Sequence, residues 1–268
     1  MCDFLGVSRS GYYDWCKREP CDRVIEDEAI KPVIQKIFND SQGRYGAPRI
    51  HQALRKQGVY VGRKRVERLM RDLKLVARVM KVTHRNAGLR EFLASGENLR
   101  DVAGAPTAID QVWVADITYL KVKNRWMYLS VIMDLYSRRI IAWTLARNRT
   151  SAVTKMTLQY AVRKRKPKPG LIFHTDRGIE YRSHSFQHAL KRYEIQHSLN
   201  RLGHCTDNAH MESYFHSMKA ELIRGKHYDC ESELRYDLAK YINGFYNTKR
   251  LHSGIEYYSP VEYEQLAA

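Results

Sequence analysis

At Gln111 the hydrophobic pattern of the chain changes to period two, and an acid falls inside it. Val112, Val114, Asp116, Thr118 and Leu120 share one side of the strand this predicts, and Trp113, Ala115, Ile117 and Tyr119 share the other. A carboxylate amid such β-branched and apolar residues is costly unless it is paired, hydrogen-bonded or bound to a cation. Few folds can use a strand of this kind, so Asp116 is the position from which the rest is read.

Two further strands follow, at about 126–134 and 138–145, joined by tight connections around Asn124 and Ser137. Joins this short require antiparallel neighbours. A helix over about 150–164 then leads to the short apolar strand Leu171-Ile172-Phe173, and a helix over 183–192 to a strand over 194–199. Long helices are expected over 208–224 and 231–247. The order β-β-β-α-β-α-β-α-α describes a mixed five-stranded sheet flanked by helices.

Two more acids occupy positions with chemical meaning. Asp176 follows the strand at Leu171–Phe173, and ligands gather at the carboxyl ends of strands in α/β sheets. Glu212 lies near the start of a helix that Asp207 can N-cap. On that helix Met211, Tyr214, Phe215, Met218 and Leu222 form the buried stripe, which leaves Glu212 on its border. Three clustered carboxylates repel one another, and a divalent cation removes that penalty. Mg²⁺ takes oxygen ligands and keeps positions open for water and phosphate oxygens. Two such ions would activate a water or a 3′-hydroxyl and stabilise the leaving oxygen of an in-line displacement. Each acid also has a plainer use: Asp116 bonded to Thr118 or backbone, Asp176 as a turn former before Gly178, Glu212 as a solvated first-turn acid.

Charge supplies the second constraint. Lys and Arg number 46 against 29 Asp and Glu, a net charge of +17 that points to a polyanionic partner. Residues 44–90 alone hold 14 Lys and Arg against Glu67 and Asp72. The same region is helical in pattern. Ile30, Val33, Ile34, Ile37 and Phe38 mark one amphipathic helix over roughly 26–39. Gly46-Ala47-Pro48 starts a second that Gly58 stops, and Gly62 precedes a third in which Val66, Leu69, Met70 and Leu73 are the buried stripe. Lys64, Arg65, Arg68 and Arg71 fall outside that stripe and are the expected DNA contacts of a helix-turn-helix-like module. A solvated basic face on a small bundle is the plainer alternative.

Other features are excluding. No run of 18 or more apolar residues exists, and no apolar signal segment opens the chain, which argues against a membrane protein. Five scattered cysteines without a Cys-x-x-Cys support neither a disulfide framework nor a zinc module; they read as reduced cytosolic thiols. His184 and His188 have the spacing of a helix-borne metal pair but lack a second pair, and read as surface histidines. The expected organisation is a helical lead-in over 1–25 that includes Tyr12-Tyr13-Asp14-Trp15, a helix-turn-helix-like domain over 26–86, a linker over 87–109 and an α/β core over 110–268.

The ordered motifs Trp113-x-x-Asp116-Ile-Thr-Tyr, His174-Thr-Asp176-x-Gly178-x-x-Tyr181 and Asp207-Asn-Ala-x-x-Glu212-Ser resemble the three signatures of bacterial insertion-sequence transposases with a retroviral-integrase-type core. More narrowly, the chain is similar to the second-reading-frame product of the two-frame group. Tyr45-Gly46-x-Pro48-Arg49-Ile50 and Arg65-Val66-x-Arg68-Leu69-Met70 resemble its helix-turn-helix region. Tyr246-Asn247-x-x-Arg250-x-His252-Ser253 with Ser259-Pro260 resembles its C-terminal tail. Nearly the whole chain is covered.

The resemblance implies an RNase H-like core in which Asp116, Asp176 and Glu212 bind two Mg²⁺ ions, Mn²⁺ substituting, and catalyse DNA cleavage and strand transfer. It implies that Lys219 contacts DNA near that site. It further implies an upstream-frame DNA-binding partner or fusion, a homo-oligomer assembled on element ends and target DNA, and a bacterial cytoplasmic, nucleoid-associated location. Arg177 stands where that family commonly has an amide and His204 where it commonly has Asn. A catalytically silent DNA-binding remnant or inhibitor, and another RNase H-like integrase or nuclease, are the competing functions.

Overall fold

The computed structural model describes residues 2, 4, 6–17, 19–78, 98–201 and 205–267. Two compact units divide the chain, Met1–Arg78 and Val79–Ala268.

In the first unit α1 (Arg9–Lys17) buries no residue, and Tyr12, Tyr13 and Trp15 are exposed. Helices α2 (Asp22–Asp40), α3 (Ala47–Lys56) and α4 (Arg63–Asp72) pack through Ile34, Ile37, Ile50, Leu54, Val66, Leu69 and Met70. Pro48 lies in the first turn of α3, and Gly58 takes a φ of 79° just past its end, as the breakers predict. Leu73, expected in the stripe, is the C-cap of α4 and only half-buried.

The second unit begins, among its described residues, with a short helix, α5 (Leu99–Ala103). That segment lies within the expected linker. It packs on the fourth and fifth strands, with Arg100 N–H donating to Ser198 Oγ at 3.2 Å. Residues 99–103 of the expected linker thus form a helix that lies on the sheet. Residues 87–97 of it, and 79–86 of the expected helical domain, lie outside the described residues.

Strands β1 (Val112–Val122), β2 (Arg125–Asp134) and β3 (Ile140–Ala146) form an antiparallel run, as the short joins require. Helix α6 (Ser151–Arg165) leads to β4 (Ile172–Thr175); α7 (Ile179–Arg182) and α8 (His184–Arg192) lead to β5 (Gln196–Leu199). The sheet order is β3-β2-β1-β4-β5, with β4 parallel to both neighbours. This is the expected RNase H-like mixed sheet.

Side-chain alternation in β1 divides the interior into two cores. Val112, Val114 and Leu120 join Met211, Phe215 and Met218 of α9 (Ala209–Met218) and Leu234 and Leu238 of α10 (Glu231–Tyr241). Trp113 and Ala115 join Leu158 and Ala161 of α6 and Phe186 and Leu190 of α8 on the opposite face. Burial on both faces stabilises each fully covered side chain by roughly 1.5–3 kcal/mol, which fixes the strand's position.

The two long helices expected over 208–224 and 231–247 are present, each changing its winding near its end. Each widens into a π-turn, Lys219–Ile223 after α9 and Ile242–Tyr246 after α10. An inserted residue in a π-turn redirects the side chains around it. In the first of these turns Glu221 is buried and accepts from Arg250 Nη2 at 2.8 Å and from Tyr241 Oη at 2.8 Å. Asn247 follows the second turn. Its Nδ2 donates to the Ile140 carbonyl at 3.0 Å, and its Oδ1 accepts from the Ile140 N–H at 2.9 Å. The amide so completes the ladder of edge strand β3. Ser259 caps α11 (Pro260–Leu266) with a reciprocal Glu262 bond, a capping box. The C-terminal motif is thus a clamp on the sheet edge.

Removing one partner of a buried ion pair strands the other charge in a low-dielectric interior. Arg250→Ala is expected to destabilise the second unit by about 3–5 kcal/mol in urea unfolding followed by circular dichroism.

Candidate active site

The first two acids are brought together by strand register. The last β1–β4 pair is Ala115 with Thr175, so Asp116 and Asp176 are the next residues on adjacent parallel strands. Strand spacing of about 4.8 Å makes them neighbours. Beyond this rung β4 ends, and β1 continues to Val122 paired only with β2. Both acids therefore sit where the parallel half of the sheet opens.

Burial first, and then the negative charge of Asp176, push the Asp116 carboxyl up to about 7. The charge of Glu212 acts in the same direction, while the N–H of Ile117, donating to Asp116 Oδ1 at 2.7 Å, opposes it. Burial likewise raises Asp176, against the Gly178 N–H that donates to its Oδ1 at 3.0 Å. The plainer backbone-bonded roles of both aspartates are thus present, and neither removes the penalty of the ionised forms.

Helix α9 carries Glu212 in its first turn, with the side chain exposed. The expected stripe Met211, Tyr214, Phe215, Met218 and Leu222 is buried. Asp207 does not cap this helix. It lies in a 3₁₀ turn, Cys205–Asn208, and accepts from Arg201 Nη2 at 2.9 Å and Asn98 Nδ2 at 3.0 Å. Those bonds to Arg201 hold its carboxyl down at about 2. Asn208 anchors the helix start to the sheet instead, its Nδ2 donating to the Ala115 carbonyl at 3.1 Å. The bond fixes the first turn of α9, and so Glu212, beside the rung that carries the aspartates.

Three further residues surround the acids, and of these Arg149 alone lies outside the sequence motifs. Arg149, between β3 and α6, pairs with buried Glu180 at 2.6 Å, and its charge favours the ionised forms of both Asp116 and Asp176. A Cβ on Gly178 would lie 2.8 Å from Asp176 Oδ1, 3.0 Å from Glu180 Oε2 and 3.4 Å from Arg149 Nη2, so a side chain there would push these groups aside. Tyr181 is fully buried, and the charges of Asp116 and Asp176 help to keep its phenol neutral. Behind Asp176, Gln187 Nε2 donates to His197 Nδ1 at 2.8 Å, His197 Nε2 meets Thr175 Oγ1 at 3.0 Å, and Thr175 Oγ1 donates to the Asp176 carbonyl at 2.7 Å. Burial lowers His197 to about 4, so this relay is neutral at physiological pH. Arg177 donates to the Asn200 carbonyl at 2.7 Å, and His204 lies outside the described residues.

Lys219 is half-buried at the start of the first π-turn, its Nζ 4.9 Å from the centroid of the Tyr119 ring. Burial lowers its ammonium, and the charge of Asp116 opposes that shift, which ties it electrostatically to the acids. In the first unit Lys64 and Arg71 are exposed. Arg65 and Arg68 are engaged elsewhere. Both donate to Asp27, at 2.7 and 2.5 Å, and Arg65 also pairs with Glu26. Arg65 and Arg68, expected with Lys64 and Arg71 as DNA contacts, thus also tie α4 to α2 through Asp27. His184 and His188 are exposed on α8.

The donor set suits a hard dication: oxygen-only side chains, two of them half-buried on adjacent strands. Among the described residues no three His, Cys, Asp or Glu side chains converge as closely as a formed metal site would require. The convergence is electrostatic in range: Asp116 feels both other acids.

Comparison with known proteins assigns the family. An Integrase core domain model matches residues 106–205 and a second one 212–267, and an HTH-like domain model matches 25–82. The transposase for insertion sequence element IS904 of Lactococcus lactis is 35% identical over 92% of this chain and 98% of its own length. Transposase InsF for insertion sequence IS3A of Escherichia coli is 36% identical over 98% of this chain and 92% of its own length. The chain belongs to this family of insertion-sequence transposases. The HTLV-2 integrase catalytic core domain is more distant, with a TM-score of 0.41 and 20% identity over 59% of this chain and 98% of that one. As a transposase it acts on DNA, and among its described residues no helix is long and apolar enough to cross a membrane.

The transposase carries Asp116 at a cost to its fold. A carboxyl raised from 3.8 to about 7 binds more protons folded than unfolded between those values, so stability falls as pH rises through that window. Asp116→Asn is expected to gain roughly 1–3 kcal/mol at pH 8 in chelator, with the gain vanishing towards pH 4, as read from urea melts.

Proposed function

We propose that Asp116, Asp176 and Glu212 together bind divalent magnesium, two ions with manganese as a substitute, and that the transposase uses them to cut element ends and join them to target DNA. One observation carries this reading: the Ala115–Thr175 rung delivers two half-buried carboxyls side by side, with the charge of Glu212 raising Asp116 further.

Bound between these acids, the cations would supply Lewis acidity that activates the attacking oxygen and stabilises the leaving one. The chain's own residues then have definite tasks. Asp116 and Asp176 contribute fixed oxygens from a rigid sheet, which keeps reacting groups aligned. Glu212 reaches the site from the anchored first turn of α9. Arg149 partly offsets the negative charge of the pair while held by Glu180. Lys219, half-buried over Tyr119, offers an ammonium to the phosphate of a strand lying against the acids.

The basic residues of the first unit fit the same function. Lys64 and Arg71 present charge to the DNA backbone, while Arg65 and Arg68, tied to Asp27, stiffen α4 against α2. In this reading residues 26–86 dock on DNA, 1–25 lead into them, 87–109 connect, and 110–268 carry out catalysis. An upstream-frame DNA-binding partner or fusion, assembly of several copies on element ends, and residence on the bacterial nucleoid complete it.

A strand-transfer assay on labelled element ends tests the reading. With Mg²⁺, wild-type protein is expected to yield joined products. Asp116→Asn, Asp176→Asn and Glu212→Gln should each lose joining by on the order of a thousandfold, about 4 kcal/mol of transition-state stabilisation, with DNA retention nearly unchanged. Joining by any of the three variants at the wild-type rate contradicts the assignment of that residue.

A further inference from the structure

Farther along β1 than Asp116, on the other face of the strand, lies an aromatic surface that none of the chemistry above uses. Tyr119 on β1 and Trp126 on β2 are diagonal neighbours across the hairpin, since Tyr119 faces Tyr128 and Lys121 faces Trp126 in the register. Their ring centroids are 5.0 Å apart at an interplanar angle of 87°. Both remain half in solvent, Tyr119 at 51% and Trp126 at 52% exposure, on a stretch of β1 that β4 does not cover. They line an open cavity of about 410 Å³ together with Lys121, His216, Lys219 and Arg224. That volume falls in the range of about 300–1,000 Å³ typical of small-ligand sites.

Two features decide what fits. The walls combine exposed aromatic faces with three basic side chains, and no acid lines the cavity. Aromatic faces flanked by cations suit single-stranded nucleic acid, whose bases stack while its phosphates meet the charge. Within a duplex the bases stack on one another and offer no free face. Lys219 links the two places, lying over Tyr119 and within the field of Asp116. We propose that Tyr119 and Trp126 form a stacking platform for an unpaired nucleobase of the DNA strand engaged at Asp116 and Asp176. The platform rests on the DNA-cleaving reading of the acids and adds to it the state of the substrate, a locally opened strand end. Stacking uses a π-face common to all four bases, so the platform holds the base whatever its identity.

The test compares a short blunt duplex with the same duplex carrying an oligothymidine 3′ overhang that contains one fluorescent purine analogue, at fixed salt. Wild-type protein is expected to bind the overhang probe more tightly and to quench the analogue. Trp126→Ala should weaken binding of the overhang probe about tenfold, within the range of base–aromatic stacking, and abolish quenching without altering blunt-duplex affinity. Trp126→Phe, which keeps a stacking face, should retain most of both signals, and thermal melting of each variant reports whether it is folded. Equal affinity of the wild type for the two probes, or equal losses on both with Trp126→Ala, overturns the platform and leaves the catalytic acids in place. Failure of the wild type to hold either probe overturns the platform and the DNA reading together.

Discussion

Two carboxyls on one rung of a parallel strand pair set the terms for the rest of the second unit. Asp116 and Asp176 extend just past Ala115 and Thr175, where backbone pairing has already fixed the strands. Neither acid can relax away from the other without breaking a ladder covered by apolar side chains on both faces. Burial first, and for Asp116 the neighbouring charge of Asp176, leaves both carboxyls resisting ionisation. Much nearby structure answers that charge. Arg149 is held at the site by Glu180, Gly178 leaves room for the side chains to approach, and Tyr181 stays a neutral phenol beside them.

Stability withheld at the site is supplied elsewhere. The sheet edge opposite the acids is closed by the C-terminal tail, with Asn247 bonding both backbone groups of Ile140. Glu264 of α11 receives Arg139, Arg165 and Ser137, which ties the last helix to the β2–β3 turn and to α6. Buried Glu221 and Arg250 join the first π-turn to the tail. A motif that looks like a signature by its residue pattern thus acts through packing and hydrogen bonding.

What could be read from the chain divides along a physical line. Period-two alternation in Val112–Leu120 reports a strand and its two faces, because each side chain's burial depends on its immediate neighbours. The place of Asp116, the terminus of the strand before Asp176 and the buried stripe of α9 follow from the same local logic. Pairings between distant residues leave no such trace. Asp27 claims Arg65 and Arg68 from 38 and 41 residues away, so two arginines on a basic face are structural ties. Arg149 reaches Glu180 across 31 residues, and Asn208 reaches Ala115 across 93. The π-turns escape periodicity because their buried Leu222 and Tyr246 look in sequence like any apolar helix positions. Asp207 has a capping residue's identity, yet Arg201 and Asn98 take its oxygens.

The central claim is that mutual repulsion between Asp116 and Asp176 is relieved by a shared cation. Anomalous diffraction from crystals of the protein soaked in manganese tests this most directly. The account predicts a strong peak between the carboxyls of Asp116 and Asp176, lost in crystals of an Asp176→Asn protein. No peak at saturating manganese, or one seated only on other acids, would contradict it.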